Sequence, residues 1–127
     1  MSHDDSSCFP QMLDVVLLAD QPFDLLILLV FGHFLADFPL QSDRMAVEKC
    51  PGKDVVLDWR WWLTAHTATH GLVVAVLTGV PILGLAEMFF HSVIDYCKCR
   101  FRCSLAADQL MHGVCKVAWV LVLTKWL

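Results

Sequence analysis

Four pairs of metal-capable side chains recur at one spacing: His33 and Asp37, His66 and His70, His91 and Asp95, Asp108 and His112. Residues four apart on an α-helix share a face about one turn from each other, so each pair forms a two-donor clip if its segment is helical. Imidazole nitrogen and carboxylate oxygen without thiolate suit zinc, manganese, iron or nickel, with zinc the first choice for a site without redox chemistry. Four donors saturate one zinc. The larger set allows two ions, or one ion whose imidazoles are oriented by further carboxylates. Two ions about 3.5–4 Å apart would suit hydrolysis, one activating water and both polarising a phosphoryl or carbonyl oxygen.

The elements that must position these clips are apolar enough for lipid. The chain is 57% hydrophobic and 17% charged, with mean hydropathy +0.60, against about 25% charged residues in an ordinary globular domain. The clips lie on four apolar segments, at about 23–40, 59–78, 81–97 and 105–127. Each is near the roughly 20 residues that cross a hydrocarbon core of about 30 Å. Stretches such as "LLILLVFGHFLA" and "GLVVAVLTGVPILGLA" lack the polar outer face that a soluble bundle requires. The expected fold is all-α: a polytopic, antiparallel bundle of four transmembrane helices over residues 22–127, after a polar acidic leader over 1–21. Within that leader, Phe9 to Ala19 reads as an interfacial helix.

Basic residues set the expected orientation. Arg44, Lys49, Lys53 and Arg60 sit in or beside the loop after the first segment, and Lys98, Arg100 and Arg102 follow the third, while the leader and the "TGVPILG" turn have none. The positive-inside rule places both basic loops in the cytoplasm and both termini outside, in a bacterial inner membrane. The short turn makes the second and third segments an antiparallel hairpin. With helix directions alternating, all four clips fall at the cytoplasmic end of the bundle. The net charge of -4 and the lack of a phosphate loop or zinc-finger spacing exclude a nucleic-acid partner.

Neighbouring residues extend the candidate site. Gln41 and Arg44 continue a polar stripe from Asp37, and the Arg44 guanidinium could grip a substrate phosphate or carboxylate as a fork. Glu87, one turn before His91, is a candidate general base or further ligand, and Lys116 a candidate ion-pair partner for it. Gln109 could orient a ligand by hydrogen bonding. Pro39 should loosen the end of the first helix. Cys97, Cys99 and Cys103 fall in a loop expected to be cytoplasmic, where thiols stay reduced. Trp59, Trp61 and Trp62 read as an aromatic belt at that interface, with Trp126 as its counterpart outside.

The stretches "GHFLADFPLQSDRMAVEK", "WWLTAHTATHGL", "HSVIDYCK" and "ADQLMHGV" resemble the motifs of a family of small phage and bacterial integral membrane proteins classed as a domain of unknown function. The similarity runs from about Leu25 to Val122. It implies a multi-spanning protein of bacterial or prophage origin and no particular activity. The paired-donor elements are more distantly similar to those of membrane-bound metal-dependent hydrolases. The leading expectation is therefore a divalent-metal centre, with one or two ions, hydrolysing a lipid or phosphoester at the membrane interface. The alternatives are a non-enzymatic membrane interaction protein with structural histidines or metal, and a metal-ion or proton transporter. Bis-histidine haem is disfavoured by carboxylates at the same level.

Overall fold

Proline marks where helices begin and end along this chain. A computed structural model describes residues 21–126, which are all-helical with no strand among the described residues. The leader up to residue 20, including its expected interfacial helix, lies outside the described residues, as does the Trp126 side chain. Pro22 and Pro81 open helices α1 (Pro22–Asp37) and α4 (Pro81–Phe101), positions where the missing N–H costs no helical hydrogen bond and the fixed φ already suits the helix. Asp58 caps α3 (Trp59–Thr78) by accepting from the Arg60 amide at 2.9 Å. Gly79, at φ 67, ends it in the left-handed conformation that leads into Pro81. The last helix, α5, spans Leu105–Trp126.

Two boundaries depart from the hydropathy pattern. The first helix stops at Asp37: Phe38 still donates to the Phe34 carbonyl, but Pro39 after it has no N–H to continue the ladder. The third long helix continues past Cys97 to Phe101. Between them lies a short helix not apparent in the hydropathy, α2 (Asp43–Glu48), capped by Ser42 Oγ accepting from the Met45 amide at 3.2 Å.

The four long helices close a ring in which α1 packs on α3 and α5, and α4 packs on the same two from the other side. Adjacent helices run antiparallel: Gly71 meets Gly84 and Thr67 meets Ser92 across the α3–α4 pair. On the α4–α5 pair, Glu87 meets Lys116 while Lys98 meets Asp108. The α3–α4 crossing is close enough that a Cβ on Gly84 would stand 2.5 Å from the Gly71 carbonyl oxygen and 2.8 Å from Ala75 Cβ. Gly84→Val is therefore expected to force the helices apart and lower stability by about 1–3 kcal/mol. Thermal unfolding in detergent reads this, with Gly113→Ala as the tolerated control, since a Cβ there meets nothing within 4 Å.

Polarity is inverted relative to a soluble bundle. His33, His66, His70, His91, His112, Asp95, Asp108, Glu87 and Lys116 are buried, whereas Phe31, Leu72, Phe89 and Val114 are each more than 60% exposed. An apolar core of Leu29, Val74, Leu83, Trp119 and Val120 closes the end of the bundle opposite α2. Among the described residues, one helix, Leu105–Lys125, is long and apolar enough to cross a membrane by length and composition.

Candidate metal centre

Each long helix delivers its i,i+4 pair to the ring's interior, and the four pairs meet at one level. Asp37, on α1, stands at the middle. Its Oδ1 lies 3.3 Å from His66 Nε2, 3.2 Å from His70 Nε2 and 3.9 Å from His91 Nε2. Its Oδ2 lies 3.4 Å from His33 Nε2. Asp95 Oδ2 approaches His66 Nε2 at 3.3 Å and His91 Nε2 at 3.8 Å. His112 Nε2 stands 3.6 Å from both Asp95 Oδ1 and Asp108 Oδ1. The His70, His91 and His112 rings lie close in succession, with centroids 3.7 and 4.0 Å apart and planes inclined by 30° and 28°.

These separations are compatible with donors that share a metal ion. A protonated imidazole bonded to a carboxylate closes to about 2.7–2.9 Å. Two donors about 2.1 Å from one tetrahedral ion stand about 3.4 Å apart. The observed contacts cluster near the second value. Moreover, His66 Nε2, His70 Nε2, His91 Nε2, His112 Nε2 and Asp108 Oδ1 are fully buried without a hydrogen-bond partner, although a buried polar atom left unpaired is costly. The donor atoms fall into three overlapping groups that could each hold an ion: Asp37, His66, His70 and His91; His33, His91 and His112; Asp95, Asp108 and His112.

A second layer fixes these donors in place. His91 Nδ1 donates to Glu87 Oε1 at 3.2 Å, which leaves the Nε2 lone pair aimed at the cluster. Glu87 is held in turn by Lys116 and by Trp119 Nε1, which donates to Oε2 at 2.6 Å. Gln109 donates from Nε2 to Asp37 Oδ2 at 2.7 Å and, so oriented, presents Oε1 to accept from His33 Nε2 at 3.2 Å. Lys49 Nζ donates to Asp95 Oδ2, and Lys98 Nζ to Asp108 Oδ2, both at 2.6 Å.

The remaining candidates separate. Glu87 lies on the far side of His91 from the cluster and bonded to Lys116, the arrangement of a positioning group. Gln41 lines a cavity of about 530 Å³ that opens onto the centre through Asp37 and Gln109. Arg44 points elsewhere: more than half exposed, it pairs with Glu48 at 3.3 Å. Glu48 is the residue that sequence reasoning overlooks. Its Oε2 accepts from the amides of Val55 and Val56 and from Trp62 Nε1, tying the loop after α2 to the start of α3. Burial alone would raise its pKa, but these donors and Arg44 hold its carboxyl below the usual range.

The cysteine expectation changes. Cys99 is not a free thiol: it is joined to Cys50, because the chain turning after α1 lays Cys50 over the end of α4. Cys97 and Cys103 remain free and half-buried. Trp62 is held by Glu48, the Arg60 guanidinium lies 5.2 Å over the Trp59 ring, and Trp61 stays exposed.

A family model described as "Protein of unknown function (DUF3307)" matches residues 25–126, and the chain belongs to that family. No curated protein and no solved structure matches it.

Proposed function

We propose that this member of a family of unknown function is a four-span integral membrane protein whose buried histidines and aspartates hold divalent metal, zinc by preference, for hydrolysis at the membrane interface. The observation that carries the reading is the set of orphaned imidazole nitrogens standing 3.2–3.6 Å from carboxylate oxygens inside the bundle. The inverted distribution of polarity supports the membrane assignment, since ionisable residues within a span gather in the bundle interior while apolar side chains face lipid. Asp37, His66, His70 and His91 supply one ion's donors and Asp95, Asp108 and His112 a second's, while His33 shares a third group with His91 and His112.

A divalent ion held by these donors would supply polarisation of the scissile group and acidification of water. The protein's part is orientation and access. Glu87 fixes the His91 ring, Gln109 fixes Asp37, and Lys49 and Lys98 hold Asp95 and Asp108 from the cavity side. The cavity brings substrate and water to this end of the ring while the apolar core seals the other.

The test is elemental analysis of detergent-purified, folded protein together with carbonate extraction of membranes. The expected result is about one to two equivalents of zinc, manganese or iron per chain and a protein that resists extraction. A folded protein without transition metal rejects the metal centre and leaves the histidines as interhelical hydrogen-bonding groups in an interaction protein.

A further inference from the structure

The cavity leading to the centre has its own chemistry. Lys49, Lys53, Lys98 and Arg102 line it, against the acidic Asp37 and Asp43. Lys49 and Lys98 reach inward to the carboxylates of the centre. Lys53 and Arg102 have no ion-pair partner among the described residues and stand exposed on the cavity wall. Arg102 also adopts φ 52, a left-handed conformation that non-glycine residues seldom take, at the end of α4. The Cys50–Cys99 bond ties the residue after Lys49 to the residue after Lys98, fixing the two inward-reaching lysines on one wall.

We propose that this cavity is a subsite for a phosphate-bearing substrate, with Lys53 and Arg102 as its principal grips and the ester bond placed toward Asp37 and Gln109. The proposal rests on the metal-hydrolase reading for its chemistry but not for its binding. A cleft lined by four basic side chains against two carboxylates concentrates counter-charge, and a guanidinium and an ammonium on the same cavity wall suit a phosphate oxyanion carrying more than one negative charge. The volume of about 530 Å³ lies within the range of small-molecule sites and far exceeds what an ion requires. Asp37 and Gln109 belong to both the cavity wall and the centre, so a phosphate held by the cations lies against the donor cluster. Cleavage of a phosphomonoester there consumes one water. Its oxygen forms the new P–O bond, the ester P–O bond breaks, and one proton passes to the departing alkoxide, giving an alcohol and phosphate with no change of oxidation state.

Lys53→Gln/Arg102→Gln leaves every proposed metal donor in place. Calorimetric titration of the full chain in uncharged detergent would use inorganic phosphate in one arm and short-chain phosphatidic acid in another, with phosphatidylcholine as control, each on metal-loaded and on chelator-treated protein. The expected result is binding to wild type that weakens by about tenfold or more in the double variant, with metal content unchanged. Tighter binding of phosphatidic acid than phosphate identifies a lipid phosphate as the source; the reverse order identifies a soluble one. Equal titrations for wild type and variant, including no binding by either, overturn the subsite. A folded wild type that takes up no metal on loading, while the cation-dependent phosphate titration persists, overturns the metal reading and leaves the subsite standing.

Discussion

Lys116→Met is expected to cost about 3–5 kcal/mol of stability, the largest effect of any single substitution considered. Lys116 and Glu87 are each about 1% exposed, and the lysine ammonium bonds directly to the carboxylate that orients His91. Removing the cation leaves a carboxylate in the bundle interior with only the Trp119 indole and the His91 ring as donors. Equilibrium unfolding in mixed micelles should show the shift. The double variant Glu87→Gln/Lys116→Met is expected to regain most of the loss, because a neutral amide and a thioether replace the pair and no unpaired charge remains. A single variant as stable as wild type would show that the buried pair is not formed.

The second large effect concerns metal retention. Asp37→Ala is expected to weaken metal affinity by more than about 100-fold, beyond the 10- to 100-fold loss that follows removal of a residue orienting a ligand. The reason lies in its position: one carboxylate faces His33, His66, His70 and His91, from three different helices. Gln109→Ala supplies the internal comparison. It removes the donor that fixes Asp37 and should fall within the smaller range. Competition against a chromophoric chelator gives both affinities, and a circular dichroism spectrum establishes that each variant remains folded. Equal affinities for Asp37→Ala and wild type would remove Asp37 from the centre.

The clips are legible in the sequence because helical periodicity is local. His66 and His70 can share a face whatever surrounds them, and the alternation of chain direction places the four pairs at one end. The Glu87–Lys116 pair is also legible, since two isolated charges on neighbouring apolar helices have few other partners. What escapes the sequence depends on how residues 38–58 fold back over the bundle. Pro39 ends α1 at Asp37 rather than continuing the stripe to Arg44, so the arginine turns to Glu48 and the expected grip is lost. Lys49 ends α2 and Lys98 lies in the last turn of α4, in segments whose charge is most simply read from sequence as a marker of orientation. Their contacts with Asp95 and Asp108 arise from long-range packing that no local pattern encodes. The Cys50–Cys99 bond is hidden for the same reason.

The closed ring has a consequence for biogenesis. Its first helix rests against its last: α1 and α5 are neighbours, and α4 also depends on α5. During synthesis Glu87 is made before Lys116 and Trp119, and Asp37 before His66, His70 and Gln109. In a bilayer an unpaired aspartate costs roughly 2.5–3.5 kcal/mol at the helix centre on insertion scales. Four helices released singly into lipid would meet that charge without the partners that relieve it. On the proposed four-span reading, lateral release would be a late, collective event, completed when α5 arrives to close the circle.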